Sequence, residues 1–400
     1  MTSVTEISLA SGETLYRQGD AQNSGYILAE GEILLYSEIG GKRVNIERRG
    51  PGAIVGELSI LTSQPRTVTV EAISDCKLFR IAAEQILNRF ERLDPVLRAC
   101  VETSINFTGT FSERARDADE TVPLAPSTLR DADTLMAQFK FEMDVLKGIA
   151  DNEFFMVYQP IIAIEDEAII GFEALMRWIH PTLGFIPPDR FIRSAEEMGA
   201  IGQLTDYAIM ESCAALQRMK TQKNAPRHLF ASINVSGYDI CRKDFVDFLA
   251  HAVDLRDLNP QDIKLEITET ALIGDVKTAG KNLKRLRKLG FGISVDDFGT
   301  GYSNLAYLKS LPLTTIKIDR AFAGDASGNK VSRGIVRMLL TLGQELDVDI
   351  IAEGLETIDD VQTLKSLGCH YAQGFYYHKP LPETEIAALL TGTAPDRDAA

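Results

Sequence analysis

Apolar positions in the first eighty residues come in short runs cut by glycines, notably at 25–29, 32–36, 44–47, 67–72 and 77–81. Short strands at this spacing predict an all-β sandwich or barrel. The period then lengthens. Over 82–105, Ile86, Phe90, Leu93, Leu97, Cys100 and Val101 recur every three or four residues, which predicts a helix with one apolar face. Pro95 should kink or split it. Residues 112–133 are polar and charged, carry two prolines and show no apolar period, so they read as a linker. A second amphipathic helix follows over 133–150, with Leu135, Phe139, Met143, Leu146 and Ile149 on one side.

Beyond residue 153, strand-like runs alternate with helical segments. The runs are 154–158, 168–175, 229–235, 263–268, 292–295, 315–318, 349–352 and 371–374. Eight such units match the size of a (β/α)8 barrel. Only residues 166 and 167 separate the first two runs. That is too short for a helical crossover, so the first strand should be antiparallel to the second.

Composition narrows the setting. The chain has 400 residues, 45% apolar and 25% charged, with a net charge of −15; that length suits two domains. The negative balance argues against nucleic acid or an anionic membrane as the main partner. No apolar run approaches the roughly eighteen residues of a membrane span, and the first residues lack the basic and apolar regions of a signal peptide. The five cysteines are scattered, with no CxxC pair, as expected of reduced thiols in the cytoplasm.

The chemistry sits at the ends of the barrel runs. Glu173 closes the second, Asn234 the third, and Glu266 lies in the fourth; Asp296 and Asp297 follow the fifth, Lys317 and Asp319 mark the sixth, and Glu353 follows the seventh. In a (β/α)8 barrel those ends build the active site. Carboxylates crowded together repel one another, so a cation must hold them ionised. Hard oxygen ligands suit Mg2+ or Mn2+. Two ions about 3.5–4 Å apart form a clamp for in-line displacement at phosphorus.

In this light the chain from 153 to 385 resembles the EAL domain, the bacterial phosphodiesterase that linearises cyclic di-GMP. The matches are Tyr158-Gln159-Pro160-Ile161, Glu173-Ala174-Leu175-Met176-Arg177-Trp178, Ser232-Ile233-Asn234-Val235-Ser236, Leu265-Glu266-Ile267-Thr268-Glu269, Asp296-Asp297-Phe298-Gly299-Thr300-Gly301, Lys317-Ile318-Asp319, Ala352-Glu353-Gly354-Leu355-Glu356 and Gln373-Gly374-Phe375. The resemblance implies that Glu173, Asn234, Glu266 and Asp296 bind one metal. Asp296 is shared with a second, also held by Asp297 and Glu353. It further implies that Lys317 and Glu353 orient and deprotonate the attacking water, and that Glu269 holds the loop after Asp297. Arg177 is expected on substrate phosphate, with Gln159, Asp319 and Gln373 lining the pocket.

Residues 1–105 resemble a cyclic-nucleotide-binding domain, chiefly in Gly56-Glu57-Leu58-Ser59-Ile60-Leu61 followed by Pro65-Arg66-Thr67. Gly56 lets backbone approach a ligand, and a helix starting there aims free N–H groups at a phosphate. Arg66 offers a charged fork to the cyclic phosphate, Glu57 accepts from a ribose hydroxyl, and Thr67 can bond either purine. A surface pair between Arg66 and Glu57 in an empty roll is the alternative.

The expected chain thus has a jelly-roll-like cyclic-nucleotide-binding domain (1–105), a linker with a signalling helix (106–150), a TIM-like α/β barrel with an antiparallel first strand (151–390) and a tail (391–400). The expected activity is hydrolysis of cyclic di-GMP to pGpG with two Mg2+ or Mn2+ ions, in a cytoplasmic homodimer, regulated by cyclic AMP or cyclic GMP with a lean to cyclic AMP. The alternatives are a non-catalytic cyclic di-GMP receptor, and an active enzyme whose first domain only dimerises.

Overall fold

A computed structural model describes residues 5–91, 98, 101, 105, 132–222, 225, 226, 228–268, 276–298 and 311–391. The chain divides into two compact units, Met1–Asp151 with Phe191–Ala200, and Asn152–Arg190 with Ile201–Ala400.

The first unit is built on eight strands: β1 (Thr5–Leu9), β2 (Thr14–Tyr16), β3 (Ser24–Glu30), β4 (Ile33–Ile39), β5 (Lys42–Arg49), β6 (Ile54–Val55), β7 (Thr69–Ala72) and β8 (Cys76–Ala82). They form two antiparallel four-stranded sheets, ordered β1-β8-β3-β6 and β2-β7-β4-β5. Tyr26, Leu28, Leu35, Val55, Val70 and Leu78 pack in its core. The glycine-cut runs predicted five of these strands. The other three were not predicted: β2 and β6 span only three and two residues, and β1 carries only Ile7 and Leu9 as apolar positions. Helix Ala83–Glu91 follows β8, and helix Ala132–Ala150 ends the first stretch of the unit. The Pro95 kink and the linker lie outside the described residues.

The second unit is a closed barrel. Its strands are β9 (Phe154–Ala163), β10 (Ile169–His180), β11 (Gly184–Ile186), β12 (Phe230–Asn234), β13 (Ile263–Thr268), β14 (Gly292–Phe298), β15 (Thr315–Ile318), β16 (Asp349–Ala352) and β17 (Tyr371–Ala372). β10 and β12 through β17 run parallel in the order β10-β12-β13-β14-β15-β16-β17. β9 closes the ring antiparallel to both β10 and β17, as the two-residue connection required. β11 is an added edge strand folded back on the end of β10.

Strand alternation sorts the barrel. Phe172, Ala174, Ile233, Leu265, Ile267, Val295, Ile316 and Ala352 are buried in the main core of this unit. Between them, on the inward face, stand Glu173, Ser232, Asn234, Glu266, Ser294, Asp296 and Lys317. The surrounding helices are stopped and started locally. Ser236 and Asp239 form a reciprocal capping box, as do Thr357 and Asp360, and Gly368 ends its helix in the left-handed conformation.

One strand is longer than its pattern suggests. β10 runs to His180 rather than ending near Leu175, so Glu173 sits mid-strand. The extension is held above the rim by pairing with both β9 and β11. No described helix is long and apolar enough to cross a membrane, and no disulfide joins the described cysteines.

Candidate functional site

Lys317 is the centre of the site. Its side chain is 1% exposed, and Nζ lies 2.6 Å from Glu353 Oε1, 2.8 Å from Glu266 Oε2, 3.2 Å from Asp296 Oδ1 and 3.3 Å from Glu173 Oε2. Carboxylates from β10, β13, β14 and the end of β16 therefore meet on one ammonium carried by β15. Amides complete the floor. Asn234 Nδ2 donates to Glu173 Oε1 at 2.8 Å, and Gln373 Nε2 donates to Glu173 Oε2 at 2.7 Å and to Gln159 Oε1 at 2.9 Å. Gln159 Nε2 in turn donates to the His378 carbonyl at 3.0 Å.

Adjacent residues of a regular strand face opposite ways, yet Asp296 and Asp297 both reach the mouth. The reason is a register shift in β14 between Val295 and Phe298, with Asp297 in the left-handed region at φ 53°. Two acidic groups result, Glu173 with Glu266 and Asp296, and Asp296 with Asp297 and Glu353. Within each, carboxylate oxygens lie within 4.8 Å of one another. Asp319 caps the short helix Arg320–Ala323, its Oδ1 accepting from the Ala321 amide at 2.8 Å.

Electrostatics follow from burial and crowding. Burial pulls the Lys317 ammonium down, but the surrounding carboxylates outweigh it and hold its pKa well above the ordinary value. Burial raises Glu173, and Lys317 with the Gln373 and Asn234 hydrogen bonds more than reverses that. Glu266 stays well above the usual carboxylate range, through burial and then the charge of Glu173. Burial pushes Glu353 up to about 8, only partly offset by Lys317. Asp297 rises to about 6 through burial and repulsion from Asp296 and Asp319. Glu266 Oε1 is buried and accepts no hydrogen bond. One ammonium facing four carboxylates, with an orphaned carboxylate oxygen among them, is a donor set suited to hard divalent cations.

The remaining expected residues fall in different places. Arg177 lies four residues above Glu173 on the same face of β10, half-buried, with NH1 donating to the Met176 carbonyl at 2.9 Å. Burial lowers its pKa. Among the described residues it makes no ion pair with the acidic cluster. Glu269 and the Gly299-Thr300-Gly301 turn lie outside the described residues. The sequence reading did not anticipate the amide relay from His378 through Gln159 and Gln373 to Glu173. Its signal was position, since Gln159 lies on β9 and Gln373 directly follows β17, the two strands that close the ring.

In the first unit, Gly56 is left-handed at φ 82° and starts helix Glu57–Leu61. A Cβ there would lie 2.3 Å from Arg66 NH1. Arg66 is buried, donating through NH1 to the Gly56 carbonyl at 2.8 Å and through NH2 to the Ser24 carbonyl, with its guanidinium 4.3 Å over the Tyr16 ring. The pair envisaged between Arg66 and Glu57 is replaced by one between Glu57 and Arg49, at 3.8 Å. Burial raises the Glu57 pKa. Leu58 is half-buried and Thr67 exposed.

Comparison with known proteins agrees with both halves. The EAL domain family model matches residues 142–380, and the cyclic nucleotide-binding domain model matches residues 6–92. The chain is 36% identical over 253 residues to the cyclic di-GMP phosphodiesterase NbdA of Pseudomonas aeruginosa, covering 63% of this chain and 32% of NbdA. It thus spans about a third of the length of such curated relatives. Among solved structures, the EAL enzyme Bd1971 in its cAMP- and cyclic-di-GMP-bound form aligns with TM-score 0.63 at 28% identity, over 96% of this chain and 100% of that one. The phosphodiesterase PaMucR in complex with c-di-GMP aligns with TM-score 0.58 at 33% identity, over 62% of this chain and 99% of that one.

Proposed function

The chain belongs to the EAL domain family, and from that premise we propose that it hydrolyses cyclic di-GMP to linear pGpG. The observation that carries this reading is the meeting of Glu173, Glu266, Asp296 and Glu353 around the Lys317 ammonium. Two Mg2+ or Mn2+ ions are the proposed cofactors. Glu173, Asn234, Glu266 and Asp296 would hold one, and Asp296, Asp297 and Glu353 the other. When bound, such ions neutralise a phosphodiester and make water nucleophilic near neutral pH.

The chain's own residues do the rest. Glu353 takes the proton of the attacking water, and Lys317 Nζ, 2.6 Å away, orients that carboxylate and adds positive charge beside it. Gln373 and Asn234 clamp Glu173 in its ionised form from both sides. Arg177 receives substrate phosphate higher on β10. Gln159 and Asp319 would line the pocket, and the role that the family resemblance implies for Glu269 is to hold the loop after Asp297.

The first unit is proposed to bind a cyclic mononucleotide through Gly56, Glu57, Leu58, Arg66 and Thr67, with cyclic AMP favoured over cyclic GMP. Bd1971 supports this pairing of domains, having cAMP-bound and cGMP-bound forms. The working form is proposed to be a homodimer. The test is turnover of cyclic di-GMP with Mg2+, followed by chromatography of pGpG, with and without each mononucleotide. Production of pGpG that stops on chelation is expected. Tight binding without product would make the barrel a receptor instead.

A further inference from the structure

Above the rim, β9, β10 and β11 form an antiparallel ribbon, whose solvent face is ordinarily polar. Here both faces are apolar. On one, Phe154, Trp178 and Ile186 are buried, with the Phe154 and Trp178 rings stacked 4.9 Å apart. On the other, Phe155, Ile179 and Phe185 are exposed, Ile179 by 55% and Phe185 by 60%. Register joins these three: Phe155 is opposite Arg177 and Phe185 opposite Ile179. Arg177 and Ile179 are two residues apart, so all four side chains share one face. The same parity runs down β10 through Leu175 to Glu173, and down β9 through Val157 to Gln159. The exposed apolar face is therefore the upward continuation of the wall that holds Glu173.

Building on the phosphodiesterase reading, we infer that Phe155, Ile179 and Phe185 form the docking face for one purine base of the cyclic dinucleotide. Position selects this occupant. At about 3.3 Å per residue, the Phe155 and Arg177 level stands roughly 13 Å along the strand from Glu173. A cyclic dinucleotide carries its bases at its two ends, away from the phosphodiesters. With one phosphodiester at the acidic cluster, a base is directed up this wall. The chemistry agrees. Flat aromatic and aliphatic surface stacks a purine, and the guanidinium of Arg177 beside it suits the acceptor edge of guanine as well as phosphate. A second copy of the chain seated here would instead cover the approach to Glu173.

The experiment compares kcat/KM of the full chain on cyclic di-GMP and on bis(p-nitrophenyl) phosphate, a diester without a purine. Phe155→Ala and Phe185→Ala should each lower the ratio of the two constants about fivefold or more, chiefly through KM for cyclic di-GMP, as loss of one base stack predicts. Phe155→Trp should restore the ratio. An unchanged ratio in both alanine variants overturns the inference, as does a loss that falls equally on both substrates. A shift from dimer to monomer in sedimentation with the ratio unchanged assigns the face to self-association and overturns it too. Wild-type protein that cleaves the nitrophenyl diester but never cyclic di-GMP overturns the underlying reading instead.

Discussion

A buried lysine touching four carboxylates places one side chain in charge of both stability and chemistry. Removing it leaves those carboxylates without their cation, which costs about 3–5 kcal/mol where a buried pair is broken. Lys317→Met should therefore lower the urea midpoint in chelator, and Mg2+ should recover part of the loss. Lys317→Met that is as stable as wild type in chelator would contradict this. Glu353→Gln removes a base and a ligand together. Its rate should fall at least a hundredfold, roughly the value of a positioned base, while affinity for cyclic di-GMP falls far less; parallel loss of both would refute the assigned role. The same residues set a pH dependence. Folded Glu353 titrates at about 8 and Asp297 at about 6, against ordinary values of 4.5 and 3.8. Between these limits the folded state holds more protons than the unfolded one, so metal-free stability should decline as pH rises from about 5 to about 8. Mg2+ favours the ionised carboxylates and should oppose the decline. Urea titrations with and without chelator read both effects.

Elements carry the site through their irregularities. The bulge in β14 turns two consecutive aspartates to the same mouth, at the expense of a left-handed Asp297. Asn tolerates that conformation and β-branched residues do not. Asp297→Asn should keep the melting temperature and weaken metal binding, whereas Asp297→Val should lose about 1–3 kcal/mol as well. Equal melting temperatures for the two would remove the strain argument. In the first unit, Gly56 has the analogous role. Gly56→Ala places a methyl against Arg66 in a conformation alanine resists, and should both destabilise the unit and disturb any mononucleotide affinity. The bulge in β14 was not legible beforehand, whereas Gly56 was readable as the glycine of close approach that opens a helix. The glycine runs revealed a β sandwich, and the apolar runs revealed eight barrel strands, but β10 was read five residues short. Its extension alternates like any strand. What holds it in place is pairing with β9 and β11, a long-range contact that no local pattern carries.

The whole chain joins two units whose sequences each show their family. If the first governs the second, a saturating mononucleotide must favour one of two arrangements of the molecule. Cyclic AMP should then change kcat or KM for cyclic di-GMP, and the change should vanish in Arg66→Ala; identical kinetics with and without either mononucleotide would separate the units functionally. The order of acidic motifs along the barrel, the antiparallel first strand and the net negative charge were all readable in the amino-acid order, because chain connectivity and side-chain alternation are local properties. The tertiary structure alone decided that Lys317 sits within reach of four acids, that Arg66 turns inward onto Tyr16 rather than toward Glu57, and that Phe155, Ile179 and Phe185 continue the wall above Glu173. Each of those depends on strands far apart in sequence closing into one ring or one sheet, and distance across a closed sheet is set by register, which the order of residues does not display.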